Sequence, residues 1–302
     1  MRKFNLIFAL FLSSLWIFDL YAVSGIRPQY IVDPDHFYKI PEKLLRADRP
    51  GYCDLVMRFI RQQRVLHEQR IRFRGEDKEF VERAYSEMSD EEFAAVNGRQ
   101  NWMEERQVGR ELDRHVPRDE ALILDLGMGP ASSTKIIARY APPTSVREPQ
   151  SAGWRIIGYD FSGPLVEKAK RIAAEGLIRN VAGEIIPTEF VQQSIVGTLK
   201  NSDETPVEVS SVDFINTSGV VGHHLSAADV DILAKEMMRV LKGNRYVAID
   251  TAGNMGPRDV RPIFERNGFK FVKYIQGNLI GARPKLVFYK EPELFPGASV
   301  LY

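Results

Sequence analysis

The chain has 302 residues, of which 44% are hydrophobic, and this is enough to bury the core of one large α/β domain with an added helical region. Its 41 basic and 40 acidic residues leave a formal net charge of +1, so no global electrostatic field points to nucleic acid or to an acidic substrate as a partner. Cys53 is the single cysteine, which excludes an internal disulfide, and the five histidines lack the spacing of a zinc site.

The first 24 residues have the layout of a secretory signal peptide. Two basic residues precede an apolar run over residues 4–18, and the small residues Ala22-Val23-Ser24 offer a cleavage site. The apolar run is shorter than the ~20 residues that a membrane-spanning helix needs, so a transmembrane anchor is the alternative only if the segment extends past Asp19. An incorrectly assigned start codon is the third interpretation.

Residues 25–111 predict an arm and a helical region ahead of the main domain. Four prolines between residues 28 and 50 disfavour regular structure in the arm. The spacing of apolar residues, with a Ser-x-x-Glu capping box at Ser89, then predicts helices over residues 54–66, 77–88, 89–97 and 101–115. In the last of these helices, Val108 and Leu112 are expected to face the core.

A buried strand followed by a glycine turn is predicted at residues 121–134, which read ALILDLGMGPASST. Residues 122–126 are too few for a helix and too apolar for an exposed strand, so we expect helices to cover both faces of this strand. Gly127 and Gly129 allow the positive φ of a sharp turn and let a ligand approach the backbone. The hydroxyl residues 132–134 are expected to cap the helix that follows.

The residues within this turn favour a cationic ligand over a pyrophosphate. A pyrophosphate binds free backbone N–H groups at a helix N-terminus, whereas Pro130 removes one donor and Asp125 places a carboxylate at the end of the strand. The same carboxylate attracts a ligand that carries an ammonium and a sulfonium group.

A second strand that ends in an acid is predicted at residues 155–160, which read RIIGYD. The helix after it has Pro164 in its first turn, where proline is tolerated. An acid at the end of the second strand of a doubly wound sheet holds the ribose of a nucleoside, because one carboxylate accepts two O–H bonds. Asp160 is therefore a candidate binding residue, and helix capping is its alternative role.

The remaining elements complete an α/β domain in which strands and helices alternate. A helix capped by Ser226 and Asp229 is expected to end at Gly243. His223 and His224 follow the fourth strand, in the loop over its carboxyl end, where ligands of doubly wound sheets bind. Strands are predicted over residues 189–194, 246–250, 269–275 and 286–289, the fourth strand and its loop together over residues 212–225, and a short helix within residues 254–267.

Two phrases of the sequence resemble those of class I S-adenosylmethionine-dependent methyltransferases. Residues 125–131, DLGMGPA, are similar to the first family motif, Asp-x-Gly-x-Gly-x-Gly, with Ala131 in place of the third glycine. Gly158, Asp160 and Ser162 match the family phrase Gly-x-Asp-x-Ser. The resemblance implies an α/β fold with a Rossmann-like, doubly wound, mostly parallel seven-stranded sheet whose last strand is antiparallel, and an N-terminal helical region precedes it.

The resemblance and the character of the N-terminus together divide the chain into three parts. Residues 112–302 are expected to form the S-adenosylmethionine-binding methyltransferase domain. Residues 25–111 are expected to form the arm and a helical lid over the substrate. Residues 1–24 are the signal-peptide-like or membrane-associating segment.

The resemblance also implies S-adenosyl-L-methionine as the cofactor and a role for each motif residue. Asp125 is expected to orient the methionine end of the cofactor, and Gly127 and Gly129 to give it room. Asp160 is expected to hold the ribose and Phe161 to pack on the adenine.

Further candidate residues come from the third and fourth strands. The family usually has an acid near the adenine amino group after the third strand, and Gln193 and Ser194 occupy that place here. Asn216 is expected beside the cofactor. A His-His-Leu phrase often lines the substrate side in this family, so His223 and His224 are candidate catalytic bases, with a structural role as the alternative for each.

The sequence therefore predicts methyl transfer to an oxygen or nitrogen nucleophile of a small molecule. Such a transfer is an in-line displacement, so the protein mainly positions the reactants and excludes water. An NAD(P)-dependent oxidoreductase is one alternative, although it requires a third glycine where Ser132 stands and tolerates Asp125 poorly. The other alternative is an exported or membrane-attached binding protein that keeps the fold without turnover.

The cofactor and the N-terminus point to different compartments. S-adenosylmethionine is made and kept in the cytosol, so methyl transfer predicts a location in the cytosol or on the cytosolic face of a membrane. The signal-peptide-like N-terminus predicts export or membrane association instead. The sequence leaves the oligomeric state open.

Overall fold

The computed structural model describes residues 105–292 apart from 149, 253, 254 and 277–283, together with nine isolated positions between 57 and 88. All of these isolated positions except Met88 are helical, in agreement with two of the predicted N-terminal helices. The signal-like segment, the arm and the helix predicted over residues 89–97 lie outside the described residues. Within the described part, none of the helices has both the length and the apolar character that crossing a bilayer requires.

A mixed sheet of seven strands forms the centre of the part of the chain that the structure describes. Its strands are β1 (Glu120–Leu126), β2 (Gly153–Asp160), β3 (Thr188–Gln192), β4 (Val212–Thr217), β5 (Leu241–Ile249), β6 (Lys270–Ile275) and β7 (Lys285–Lys290). They are arranged in the order β3-β2-β1-β4-β5-β7-β6. All neighbours pair in parallel except β7, which is antiparallel to both β5 and β6. The predicted doubly wound sheet with an antiparallel last strand is confirmed.

Helices cover both faces of this sheet. They are α1 (Arg110–His115), which continues a π-helical turn at Glu105–Gly109, α2 (Ser132–Arg139), α3 (Gly163–Ala174), α4 (Val221–His224), α5 (Ala227–Val240) and α6 (Pro257–Arg266). Buried residues of α1, α2 and α3 belong to one apolar cluster, and those of α5 and α6 belong to another. Val108 and Leu112 are buried in the first cluster, as predicted.

The central strand β1 is buried on both faces, as the sequence predicts. Ile123 packs in the cluster on one face and Leu124 in the cluster on the other, and neither has exposed surface. Burying an aliphatic side chain of this size contributes about 1.5–3 kcal/mol. The short apolar run of residues 122–126 therefore anchors the glycine turn that follows it.

The start of α5 agrees with the sequence, whereas its end does not. Ser226 and Asp229 form the predicted capping box. The helix ends at Val240, and Leu241 is already the first residue of β5. The prediction that Gly243 ends the helix is therefore wrong, and Gly243 lies within the strand.

A buried lysine from a distant strand accounts for this early end. The ammonium group of Lys290 donates to the carbonyl oxygens of Met238 at 2.9 Å and Leu241 at 2.7 Å. These contacts satisfy carbonyl groups that a helix leaves without an intrahelical partner at its C-terminus. A tertiary contact thus performs the function that the sequence assigned to a glycine.

The strand directions determine which residues meet at the ligand edge of the sheet. Strands β1, β2, β4 and β5 run in the same direction, so their carboxyl ends lie along one edge. Strand β7 runs the opposite way, and Leu286 pairs with Ile249 at the end of β5. The first residue of β7, Lys285, is therefore brought to the edge at which the parallel strands end.

Candidate functional site

The glycine turn after β1 lies at the carboxyl edge of the sheet and has the predicted left-handed backbone. Gly127 has a φ of 72° and Gly129 a φ of 55°. The N–H of Gly127 donates to the carbonyl oxygen of Tyr159 at 2.8 Å, which ties the turn to β2. A Cβ on Gly127 would collide with Val220, whereas a Cβ on Gly129 would meet no atom of the described residues within 4 Å. The backbone at Gly129 thus faces open space into which a ligand fits.

The start of α2 differs from the prediction. Ala131 precedes the helix with a φ of 64°, and no side chain caps the first turn. The hydroxyl groups of Ser133 and Thr134 instead donate to Oδ2 of Asp125, each at 2.7 Å. The predicted capping role of residues 132–134 is therefore wrong, because these are the first three residues of the helix itself and the hydroxyl groups of Ser133 and Thr134 turn to the buried carboxylate.

Asp125 lies fully buried beneath the glycine turn. Its Oδ1 accepts a hydrogen bond from Nδ2 of Asn216 at 2.9 Å, and Oδ1 of Asn216 accepts one from the ammonium group of Lys285 at 2.7 Å. Lys285 is itself only 2% exposed. Burial raises the pKa of Asp125, while its three hydrogen bonds and the positive charge of Lys285 act in the opposite direction.

This arrangement changes the expected role of Asp125. Lys285 places a positive charge on the far side of Asn216, which opposes the charge of Asp125 and weakens its attraction for a cationic ligand. The contacts instead join β1, β4, α2 and the start of β7 under the turn. Asp125 and Asn216 therefore hold the shape of the turn from below, and both are fully buried.

Asp160 connects the two sequence motifs directly. Its Oδ2 accepts a hydrogen bond from the N–H of Gly129 at 3.0 Å, and its Oδ1 accepts one from the N–H of Ser162 at 2.9 Å. Ser162, and not Asp160, is the residue that precedes α3 as its N-cap. Phe161 is half-buried next to this carboxylate. The end of β2 and the glycine turn thus form one continuous cradle.

Gln193 and Ser194 follow β3 but are engaged within their own loop. Nε2 of Gln193 donates to the carbonyl oxygen of Thr198 at 2.6 Å, and its Oε1 accepts from the N–H of Lys200 at 3.1 Å. Oγ of Ser194 accepts from the N–H of Val196 at 3.2 Å. Both side chains therefore stabilise the loop after β3 in this structure.

The short helix α4 carries the two histidines next to the carboxyl ends of β4 and β5. His223 and His224 are half-buried, and their ring centroids lie 6.0 Å apart. Asp250, the residue after β5, accepts hydrogen bonds from the N–H groups of Val221 at 3.3 Å and Gly222 at 3.2 Å. An acid that the sequence did not single out thus binds the beginning of the helix.

Burial keeps both imidazoles neutral near pH 7. It lowers the pKa of His223, and it lowers the pKa of His224 to about 4. The negative charge of Asp250 raises both values but does not outweigh burial. A neutral imidazole has one nitrogen that accepts a proton, so either ring has the charge state that a base requires.

The structure adds three residues to the site that the sequence did not indicate: Thr217, Asp250 and Lys285. Asp250 directly follows β5, and Asp160 is the last residue of β2, so this repeated acid at a strand end is a signal that the sequence offered. Lys285 offered no signal, because a lysine after a proline at the start of a strand is expected to be solvated. Among the described residues, no group of three or more His, Cys, Asp or Glu side chains is arranged to hold a metal ion.

A second buried ionic cluster lies where α1 packs on the sheet. Lys273 of β6 contacts Glu111 with an N–O distance of 2.8 Å, and His115 lies 3.4 Å from the other oxygen of Glu111. The His115 ring stacks on Tyr246 with a centroid distance of 3.9 Å. Burial lowers the pKa of His115 despite the nearby carboxylate. This cluster joins the helix before β1 to strands β5 and β6.

Comparison with known proteins gives a family match to the part of the chain that carries this site. The profile of the methyltransferase domain family matches residues 124–249, which extend from the end of β1 to the end of β5. No curated protein sequence is significantly similar to the chain.

Solved structures with a similar chain path share little sequence with this protein. A TehB-like SAM-dependent methyltransferase from Corynebacterium glutamicum is 19% identical, with 66% of this chain and 92% of that chain covered and a TM-score of 0.45. Magnesium protoporphyrin IX methyltransferase from Synechocystis, solved with bound SAM, is 15% identical, with 80% and 100% covered and a TM-score of 0.45. A possible exported protein from Bordetella parapertussis is 15% identical, with 84% and 100% covered and a TM-score of 0.46.

Proposed function

We propose that this chain, whose residues 124–249 match the methyltransferase domain family, binds S-adenosyl-L-methionine at the carboxyl edge of its sheet and transfers the methyl group to an oxygen or nitrogen nucleophile of a small molecule. One observation supports this proposal most strongly. The N–H of Gly129 lies 3.0 Å from Oδ2 of Asp160, so the glycine turn and the strand-end acid form a single cradle.

The residues of this cradle fit the cofactor by shape and by hydrogen bonding. The open space at Gly129 accommodates the body of the ligand, and a Cβ on this residue would fill part of that space. The carboxylate of Asp160 is oriented by two backbone N–H groups and accepts the vicinal hydroxyl groups of a ribose. The half-buried ring of Phe161 offers a surface on which adenine packs.

When bound, S-adenosylmethionine supplies a methyl group on a positively charged sulfur, so the leaving group is already good. The protein then has to hold the acceptor in line with this methyl group and exclude water. Asp125 and Asn216 keep the turn in shape from below. His223 and His224 are the titratable side chains that α4 brings to this edge, and we assign proton removal from the acceptor to one of them.

The two histidines differ in their suitability for this role. A general base works best when its pKa lies near the working pH. Burial lowers the pKa of both rings, and the value of about 4 for His224 makes that ring a weak base, which favours His223.

A small-molecule acceptor is supported by the formal net charge of +1, which offers no general attraction to nucleic acid. We extend the proposal to location: the chain works in the cytosol or at the cytosolic face of a membrane, where the cofactor is available. Localisation of a chain tagged at its C-terminus tests this extension. Recovery of the mature chain only outside the cytosol would contradict it.

Isothermal titration calorimetry with S-adenosylhomocysteine tests the proposed cofactor. We expect one binding site per chain, and Asp160→Asn is expected to weaken binding about 10- to 100-fold because it removes the charge from a hydrogen-bonded acceptor. Asp119→Asn is the matched control, since Asp119 precedes β1 at the opposite edge of the sheet and accepts a hydrogen bond from Glu148. A folded wild-type chain that does not bind would end the proposal, and saturable quenching of NADH fluorescence would support an oxidoreductase instead.

A further inference from the structure

Asp250 lies between the end of β5 and the helix that carries the histidines. It is 6% exposed, and its two carboxylate oxygens accept hydrogen bonds from the first two N–H groups of α4, those of Val221 and Gly222. A helix of four residues has too few internal hydrogen bonds to hold its own conformation. Contacts with the rest of the protein therefore determine where α4 lies.

Thr217 fixes the orientation of the Asp250 carboxylate. Its hydroxyl group donates to Oδ1 of Asp250 at 2.6 Å and accepts from the N–H of Asp250 at 2.9 Å. Thr217 is the last residue of β4 and is fully buried. This two-way contact locks the ends of β4 and β5 together directly below α4.

The backbone of α4 also packs closely on the segment after β5. A Cβ on Gly222 would lie 2.0 Å from the backbone nitrogen of Ala252, so any side chain at this position is excluded. The carbonyl oxygen of Gly222 accepts a hydrogen bond from the N–H of Met255 at 3.1 Å. The helix is therefore held at its first two N–H groups and along its backbone.

We propose that Asp250 is a positioning residue for methyl transfer, which fixes α4 through its first N–H groups and supplies the negative charge beside the two imidazoles. The inference rests on the proposed function for the identity of the reaction. In that reaction the acceptor forms a bond to the methyl carbon as the carbon–sulfur bond breaks, and the electron pair of that bond stays on sulfur. The proton of the acceptor passes to an imidazole nitrogen, and Asp250 stabilises the imidazolium that results.

The charged groups around the imidazoles support this role. Among the described residues, Asp250 is the one carboxylate whose charge acts on both rings, and His223 also acts on His224. Asp250 raises the pKa of each histidine, whereas burial lowers it. Removal of the carboxylate charge therefore leaves burial unopposed and makes both rings weaker bases.

Histidine titration by NMR tests this inference without knowledge of the acceptor. In Asp250→Asn, the proton affinity of His223 is expected to fall about tenfold relative to the wild type. Thr217→Val retains the charge, so the titration of His223 is expected to stay within about twofold while the amide protons of Val221 and Gly222 exchange faster. Asp259→Asn is the matched control, because Asp259 caps the N-terminus of α6 and does not act on the histidines.

The outcomes separate this inference from the proposed function. An unchanged titration of His223 in Asp250→Asn, or an equal change in Asp259→Asn, overturns the positioning role. If Asp250→Asn does not fold, Asp250→Glu replaces it as the test variant. A His223 proton affinity within threefold of the wild type then supports the role of the negative charge. A tenfold loss of proton affinity contradicts it. Failure of the wild type to bind S-adenosylhomocysteine refutes the proposed function and leaves the titration experiment intact.

Discussion

Replacement of Lys285 by methionine tests whether a buried lysine at the start of β7 compensates the charge of Asp125. The two hydrogen bonds through Asn216 are 2.7 and 2.9 Å long. With the amide group between them, the two charges lie on the order of 7 Å apart, which corresponds to about 2 kcal/mol at an effective dielectric constant of roughly 20. The loss of one partner of a buried ion pair costs about 3–5 kcal/mol in total, because the remaining charge stays buried.

A double-mutant cycle isolates the interaction from the other effects of the substitutions. Urea unfolding, followed by tryptophan fluorescence, is measured for Lys285→Met, Asp125→Asn and the double variant. We expect the double variant to be more stable than the sum of the single effects by about 2 kcal/mol. Lys290→Met is the matched control, because Lys290 is also buried but donates to carbonyl groups and to Ser210. Its effect is expected to add to that of Asp125→Asn.

The same cycle has a defined dependence on pH. The pKa of Asp125 in the folded chain is raised above its ordinary value. The stability that protonation of Asp125 contributes is therefore fully present below the ordinary pKa and is lost as the pH rises through the pKa of the folded chain. Without Lys285 this folded pKa rises further, and Lys285→Met is therefore expected to lose more stability at pH 8 than at pH 5. A coupling free energy below about 0.5 kcal/mol would show that the two charges do not interact and would refute the reasoning.

Four further substitutions probe features of the fold by urea or thermal unfolding. Gly222→Ala is expected to lower the free energy of unfolding by about 3 kcal/mol, because its Cβ would overlap the backbone of Ala252; a wild-type melting temperature would contradict the packing. Ala131→Gly is expected to raise the free energy of unfolding by up to about 1 kcal/mol, since a positive φ of 64° strains alanine. A loss of stability would argue against that strain. Tyr159→Phe is expected to raise it by up to about 1 kcal/mol, because the hydroxyl group is buried without a hydrogen-bond partner among the described residues; a clear decrease would reveal a partner. Because the pKa of His115 is lowered, the contribution of the neutral ring to the free energy of unfolding is present above pH 6.5 and is lost as the pH falls through the pKa of the folded chain. His115→Phe is therefore expected to reduce the loss of stability between pH 7 and 5 by roughly 1 kcal/mol. An unchanged loss would contradict this prediction.

Local patterns in the sequence were sufficient for most of the fold. The apolar run of residues 122–126 predicts β1, and the acid after the second run predicts the end of β2 at Asp160. The capping box at Ser226 predicts the start of α5. These signals involve neighbours along the chain, for which backbone conformation and burial periodicity are direct consequences of residue type.

The errors arise where side-chain contacts formed in the folded chain replace the local preferences of the sequence. The sequence predicts that hydroxyl residues 132–134 cap a helix, but the buried Asp125 provides a charged acceptor for two of them. It predicts that Gly243 ends α5, but the helix ends at Val240, where Lys290 satisfies the carbonyl groups of Met238 and Leu241. Lys290 is 49 residues from Leu241 along the chain and is placed beside it by the sheet order, which periodicity alone does not give, whereas Asp125 is eight residues from Ser133 and meets it across the glycine turn.

In the candidate site, too, some features follow from local sequence and others depend on contacts between strands. The conformation of the glycine turn and its junction with Asp160 follow from the two motifs. The burial of Asp125 and its compensation by Lys285 required the antiparallel placement of β7, three strands away in the sheet. The sequence therefore located the cradle but not the distribution of charge within it.

The part of the chain that matches the family profile does not include all the residues that meet under the glycine turn, because β7 runs in the reverse direction and brings Lys285 there. Residues 124–249 contain both motifs, yet they lack Lys285. A fragment that stops after β5 would retain both sequence motifs. It would also bury the carboxylate of Asp125 without the positive charge of Lys285. A fragment that keeps the contact of Lys285 with Asn216 and Asp125 must therefore extend past the matched residues into β7.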